Sequence, residues 1–221
     1  PQQQVQGVKT NVSLFKEPED GREPILNAIN NATKSVHVEV YLLSDKQIID
    51  ALIAKKLEGL DVKIMLEEHP FGGGNVNKIT YKTITDAGIE FKWTNPAYAL
   101  THEKTIIIDG VEVLILNQNL TTSSFGKNRE FDIIDDSPDY AAEVGKMFDA
   151  DWDRQSFTPA QSNLVISPVN SRDKLSSLLR SAAGEIDIES EVMTDKQIIA
   201  LLQEKDKTAK IMVVFPSFSK V

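Results

Sequence analysis

The chain has 221 residues, 41% of them hydrophobic, which is enough for one sizeable domain or one and a half smaller ones. A formal net charge of -9 argues against non-specific coating of duplex DNA. No apolar run approaches the ~18 residues of a membrane span, so we expect a soluble protein, and the absence of cysteine excludes disulfides, a thiol nucleophile and a thiolate metal site.

The first residues are polar and rich in Gln, and the segment 1–7 is predicted to be a mobile leader. The chain starts with Pro1 rather than Met, which suggests that something upstream was removed. It could be a signal peptide, as in a secreted or periplasmic protein, or simply the boundary at which the chain was cut. The sequence does not decide between these origins.

Strand and helix signals then alternate along the chain. Strands are expected at residues 12–15, 36–41, 62–66, 89–93, 105–108, 111–116 and 131–134, and helices at 24–34, 44–58, 76–87 and 140–152. Ser44 with Gln47 resembles a capping box for the second helix, and Asp109-Gly110 between two apolar runs predicts a hairpin. The pattern predicts an α/β layered domain with a mixed β-sheet flanked by helices.

The last third of the chain repeats its beginning. The five residues Asp45–Ile49 recur as Asp195–Ile199, an offset of 150, and the flanking strand patterns follow the same offset. We place a boundary in the polar stretch 154–162. The sequence therefore predicts one domain at residues 8–156 and an incomplete second repeat of it at 163–221.

The segment Thr101–Asp109 reads Thr-His-Glu-Lys-Thr-Ile-Ile-Ile-Asp and holds one of the three histidines of the chain. In an extended segment His102 and Lys104 project from the same face, because side chains alternate along a strand. This places a nucleophile or base beside a cation. Taken alone, such a pair on a strand is usually just part of a polar face.

The segment resembles the signature of the phospholipase D superfamily, His-x-Lys followed by four residues and Asp, which His102–Asp109 matches without a gap. The family pattern continues after six residues with Gly-Ser-x-Asn. Here Leu116–Asn119 provides the Asn but neither the Gly nor the Ser. Further on, Asn128–Glu130 resembles the family's Asn-x-Glu element, and Asp151-Trp152 resembles its closing pair.

This resemblance implies cleavage or transfer of a phosphodiester through a covalent phosphohistidine, with no metal and no cofactor. It implies that His102 attacks phosphorus and that a second histidine protonates the leaving oxygen. Lys104 and Asn119 would hold the non-bridging oxygens, and Glu130 would orient His102 and fix its tautomer.

Five further residues are weaker candidates. Asp109 belongs to the matched motif, but its place at the hairpin turn favours a structural role. Asn117 stands where the family has Ser and could donate to a phosphate. His69, beside three glycines, could bind substrate, although an ordinary flexible loop is favoured. His37 is expected to be a surface or interlayer histidine, and Glu39 to lie on a solvated strand face.

The implied mechanism needs two histidines, whereas the chain contains one copy of the motif. The offset of 150 puts the counterpart of His102 near position 252, so the missing motif belongs either to the rest of the second repeat or to a second chain. The begun repeat favours a truncated two-motif enzyme, and two-motif members of the family include phospholipases and cardiolipin-synthase-like transferases. Together with the acidic balance, this favours a lipid or small phosphodiester over nucleic acid, and we expect a phospholipid. The alternatives are a homodimeric nuclease of the same superfamily and a non-catalytic phosphate-binding or scaffold protein.

Overall fold

The computed structural model describes residues 12–160 and 163–216, and the expected leader lies outside them. The chain divides after Ala160 into two units. Among the described residues, no helix combines the length and the apolar character needed to cross a lipid bilayer.

The first unit contains seven strands and five helices in its described residues, in nearly the predicted order. They are β1 (Val12–Glu17), α1 (Glu23–Asn31), β2 (Ser35–Val40), α2 (Lys46–Leu57), β3 (Asp61–Leu66), α3 (Val76–Asp86), β4 (Glu90–Trp93), β5 (Lys104–Ile108), β6 (Glu112–Ile115), α4 (Thr122–Lys127), β7 (Glu130–Asp135) and α5 (Pro138–Trp152). The strands form one sheet in the order β1-β7-β6-β5-β2-β3-β4. The pairs among β2, β3 and β4 are parallel and the others antiparallel, so the predicted mixed α/β sheet is confirmed. The short helix α4 was not predicted.

Strand β2 is buried on both faces. Its three alternating valines are fully buried in the hydrophobic core with residues of α1 and α2, as the alternation predicts. On the other face, His37 stacks on Phe148 of α5 with ring centroids 5.0 Å apart, which makes it an interlayer histidine. Glu39 is also fully buried. The expected solvated face for Glu39 is therefore wrong, because alternation defines two faces of a strand but not whether a helix covers the polar one.

The hairpin between β5 and β6 turns at Asp109 and Gly110, as predicted. Their φ values are 55° and 71°, and the N–H of Val111 donates to the carbonyl of Ile108 across the turn. Positive φ at both central residues is what a type I′ turn requires, and Asn, Asp and Gly adopt it most readily.

Helix α2 begins with Asp45 as its N-cap, not with Ser44. The Asp45 carboxylate accepts hydrogen bonds from the N–H groups of Gln47 and Ile48. The capping-box interpretation was one residue out of place. An aspartate at this position satisfies two free N–H groups and places its negative charge at the positive end of the helix dipole.

The second unit contains α6 (Ser171–Ser181), β8 (Glu185–Glu189), α7 (Lys196–Lys205) and β9 (Lys210–Val214). Its two strands pair in parallel, as β2 and β3 do. Asp195 caps α7 through Gln197 and Ile198, repeating the cap of α2 at the offset of 150. The repeated Asp-Lys-Gln segments are thus helix starts.

Candidate active site

One edge of the seven-stranded sheet collects the ends of its central strands. The register pairs Val40 at the carboxyl end of β2 with Lys104 at the amino end of β5. Across the next strands, Ile115 at the end of β6 pairs with Ile133, three residues into β7 from Glu130. The topology therefore brings the His-x-Lys segment, the loop after β6 and the start of β7 to the same edge.

His102 and Lys104 are in direct contact at this edge. Lys104 Nζ lies 3.0 Å from His102 Nδ1, 3.3 Å from Nε2 and 3.0 Å from the His102 carbonyl oxygen. An ammonium group has no acceptor lone pair, so a ring nitrogen must accept the hydrogen bond. His102 is exposed whereas Lys104 is buried. The ring is accessible to a ligand, and the cation is held in place beneath it.

Tyr41, which the sequence interpretation did not single out, packs against this pair. Its ring centroid lies 4.7 Å from that of His102, and Lys104 Nζ lies 5.8 Å from the centre of the Tyr41 ring. The Tyr41 hydroxyl accepts a hydrogen bond from the N–H of Phe71. Tyr41 thereby connects the loop after β3 to the His-x-Lys pair. Its position directly after the alternating residues of β2 was the signal in the sequence.

Glu130 is held by two amides. Asn117 Nδ2 donates to Glu130 Oε2 at 3.0 Å, and Asn128 Nδ2 donates to Oε1 at 2.9 Å. Asn119, two residues after Asn117, is half-buried, and its side-chain oxygen is buried without a hydrogen-bond partner. The structure brings Asn117 and Glu130 into contact and leaves an unused acceptor on Asn119.

A buried polar network fixes the loop that carries the two asparagines. Asp132 Oδ1 accepts from the N–H of Asn117 at 2.6 Å and from that of Gln118 at 3.4 Å. The Gln118 amide donates to Asp132 Oδ2 at 3.0 Å and to Glu17 Oε1 at 3.1 Å. All three side chains are fully buried. Burial raises the pKa of Asp132, although the backbone donors partly offset it.

Asp109 lies at the other end of β5 from Lys104. Its carboxylate accepts hydrogen bonds from the N–H groups of Thr33, Lys34 and Ser35 and from the Thr33 hydroxyl. Burial by itself would raise the pKa of Asp109, but the hydrogen bonds from Ser35, Thr33 and Lys34 outweigh it and lower the pKa to about 2. These contacts give Asp109 a structural role, attaching the hairpin to the chain before β2, and separate it from the other motif residues.

His69 lies in the loop after β3, at the same edge of the sheet as His102. Its side chain is 76% exposed, with Nε2 3.9 Å from Glu68 Oε2, and its N–H donates to Glu67 Oε1 at 3.0 Å. The same loop contacts Tyr41 through Phe71. The backbone of this loop therefore contacts the site through Tyr41, whereas the His69 ring is exposed to solvent.

The geometry agrees with comparisons to known proteins. A family model described as "Cardiolipin synthase, PLD-like domain" matches residues 25–152. A cardiolipin synthase of Clostridium perfringens is 25% identical over 134 residues, which cover 55% of this chain and 28% of that protein. A phospholipase D of Rickettsia prowazekii is 31% identical over 125 residues, covering 55% and 58% respectively. The chain spans less than two thirds of the length of either relative.

Among solved structures, the chain is similar to Nuc from Salmonella typhimurium, a phospholipase D family member. The TM-score is 0.60 and the sequence identity 27%, over 67% of this chain and 98% of Nuc. The part of this chain that matches therefore corresponds to nearly the whole of a solved relative.

Proposed function

The chain belongs to the phospholipase D-like family, and we propose that it cleaves or transfers a phospholipid phosphodiester through a covalent phosphohistidine on His102, without a catalytic metal. Its curated relatives include enzymes of the phospholipase D type. The observation that carries the proposal is the contact of Lys104 Nζ with His102 Nδ1 at 3.0 Å, on the edge that also holds Asn117 and Glu130.

The first chemical step uses His102 as nucleophile. A neutral His102 ring has one unprotonated nitrogen, and its lone pair attacks phosphorus once that nitrogen no longer accepts a hydrogen bond from Lys104. As the N–P bond forms, the P–O bond to the leaving group breaks and its electron pair stays on the leaving oxygen. That oxygen takes a proton from a second histidine. Water or an alcohol then attacks phosphorus and releases His102, which gives hydrolysis or transfer.

Lys104 and Asn119 stabilise charge on the phosphoryl oxygens in this proposal. Lys104 is buried, so its positive charge is weakly screened by water and acts strongly on an oxygen that develops charge. Asn119 supplies an amide group from the loop that Asp132 fixes. Glu130 acts as the carboxylate that orients His102, and Asn117 and Asn128 hold that carboxylate in turn.

The second histidine belongs to a second motif outside this chain. The helix cap and the parallel strand pair of the second unit repeat those of the first, which supports a duplicated domain whose first part is residues 163–221. We therefore propose a two-motif enzyme whose second motif supplies this histidine.

The test is a His102→Ala variant of the full-length protein, assayed in parallel on phosphatidylcholine vesicles, phosphatidylglycerol vesicles and single-stranded DNA. We expect turnover of the lipid to fall by roughly 10³-fold or more, as expected for loss of a nucleophile, with an unchanged circular dichroism spectrum. His37→Asn, in the same sheet but packed against Phe148, is the matched control. Unchanged lipid turnover in His102→Ala would exclude the catalytic role.

A nuclease is the second candidate, because the match covers 98% of the Nuc chain whereas it covers 28% of the cardiolipin synthase. A one-motif nuclease would complete its site by pairing two chains. DNA cleavage without lipid turnover, together with a dimer in solution, would favour this candidate over the phospholipid enzyme.

A further inference from the structure

Three carboxylates meet on the face of β2 and β5 that α5 covers. They belong to Glu39 of β2, Glu103 directly before β5, and Asp151 of α5, and one oxygen of each lies within 4.8 Å of the others. Glu39 is completely buried and Asp151 is 8% exposed. Glu103 lies between His102 and Lys104 in sequence, so its side chain leaves the strand on the face opposite theirs.

The hydrogen bonds around the cluster leave oxygens unused. Glu103 Oε1 accepts from the Thr105 hydroxyl at 2.7 Å, and Asp151 Oδ1 accepts from Asn95 Nδ2 at 3.0 Å. Both oxygens of Glu39 are buried without a hydrogen-bond partner. Glu103 and Asp151 are thus each held by a hydrogen bond to one carboxylate oxygen. Glu39 accepts none, although one of its oxygens lies in the cluster. Buried polar atoms without partners are rare and need an explanation.

The charges are also unbalanced. When ionised, the three groups carry three negative charges, and Arg154 supplies one nearby positive charge that favours the ionised forms of Asp151 and Glu39. Arg154 itself donates to the carbonyl oxygens of Asp151 and Trp93. Burial and the neighbouring carboxylates raise the pKa of Glu39 well above its ordinary value, and burial followed by Asp151 raises that of Glu103 to about 7. Two further positive charges would neutralise the ionised cluster and replace the protons that these raised pKa values favour.

We propose that Glu39, Glu103 and Asp151 bind one divalent cation that prefers oxygen ligands, with Ca²⁺ favoured over Mg²⁺. A Ca²⁺ ion lies about 2.3–2.6 Å from its ligand oxygens and tolerates irregular geometry, so oxygens separated by up to 4.8 Å can share it. Mg²⁺ needs shorter distances and near-ideal octahedral geometry. The cation ties β2, β5 and α5 together on the face of the sheet away from His102. It takes no part in the phosphoryl chemistry, and the proposal does not depend on the proposed function.

The experiment is isothermal titration calorimetry of the chelator-treated full-length protein with CaCl₂, and in parallel with MgCl₂, accompanied by melting curves. We expect saturable one-site Ca²⁺ binding to the wild type and a higher melting temperature in Ca²⁺. Glu39→Gln and Asp151→Asn, which keep side-chain size and remove one charge, should each weaken Ca²⁺ binding at least tenfold and abolish the thermal shift.

Glu17→Gln is the matched control, because Glu17 is also a fully buried acid with an unpartnered oxygen but lies outside the cluster. It should bind Ca²⁺ as the wild type does. The proposal is overturned if the wild type shows no saturable binding of either cation at millimolar concentration, which is the result expected if shared protons hold the carboxylates. It is also overturned if binding survives in the folded Glu39 and Asp151 variants or is lost equally in Glu17→Gln. Should Glu39→Gln fail to fold, the wild type and Asp151→Asn decide.

Discussion

The two copies of the repeated helix start use the same contacts in different surroundings. Arg22 binds Asp45 in the first unit at 2.6 Å, and Arg172 binds Asp195 in the second at 2.7 Å. The exposed fractions of the two side chains are 23% and 2% in the first pair but 61% and 36% in the second. The repeated residues thus form the same Arg–Asp ion pair in both units. How far solvent screens that pair depends on the rest of each unit, which buries the first pair more than the second.

A second repeated contact supports the same view. Lys55 donates to the carbonyl oxygen of Ala32 in the first unit, and Lys205 donates to that of Ala182 in the second, again at the offset of 150. Lys55 is buried, whereas Lys205 is not. Two long-range contacts therefore recur together with the cap, which is more than a chance match of five residues would produce.

The largest expected difference between the units is in activity, because only the first contains the His-x-Lys pair among the described residues. Lys104→Met should lower turnover by about 10²–10³-fold, since it removes the buried charge that faces the phosphoryl oxygens. Lys210→Met removes the 70% exposed lysine of β9 in the second unit and should leave turnover unchanged. Steady-state kinetics on the preferred substrate compares the two variants. Equal turnover in both would contradict the role given to Lys104.

The next largest effect concerns the caps. Asp45→Ala should lower the free energy of unfolding by about 2 kcal/mol, because it removes a helix cap and leaves Arg22 without its partner. Asp195→Ala should have a smaller effect, since solvent already screens the exposed pair. Urea unfolding followed by circular dichroism measures both. If Asp195→Ala is the more destabilising change, burial is not what distinguishes the two copies.

A further expected effect is a pH dependence that belongs to the hairpin of the first unit. The folded-state pKa of Asp109, about 2, lies below the unfolded value near 3.9. Its contribution to stability is therefore complete above the unfolded value and is lost as pH falls toward 2. In Asp109→Asn the stability should vary less with pH across this window, as thermal melts at pH 2 to 5 would show. An unchanged slope would mean that Asp109 does not hold the hairpin.

The sequence predicted those parts of the fold that depend on local periodicity and turn chemistry. The alternating β2, the hairpin at Asp109 and the contact of His102 with Lys104 belong to this class, because each depends on residues close in sequence. The network around Gln118 could not be predicted, since its amide binds Glu17 across a separation of 101 residues. In the sequence, Glu17 and Asp132 resemble ordinary surface acids, because only the strand order shows that they are buried.

Glu39 illustrates the same limit. An alternating acid on a strand is solvated in most sheets, and only the docking of α5 turns this one into a buried group. The loss of the family's Gly-Ser pair was interpreted in the sequence only through Asn117, as a candidate donor to phosphate. In the structure, the buried Asp132 carboxylate accepts a hydrogen bond from the N–H of Asn117. This bond fixes the loop at the position where the family has Ser.

The chain has two tryptophans, and one of them, Trp152, directly follows Asp151 of the carboxylate cluster. The Trp93 backbone carbonyl accepts a hydrogen bond from Arg154, whose positive charge acts on Asp151 and Glu39. Lys92 Nζ lies 4.8 Å from the centre of the Trp152 ring. The fluorescence of an indole responds to nearby charges. Emission from Trp152 should therefore report, without any label, a change in the charge of the carboxylate cluster at this end of α5.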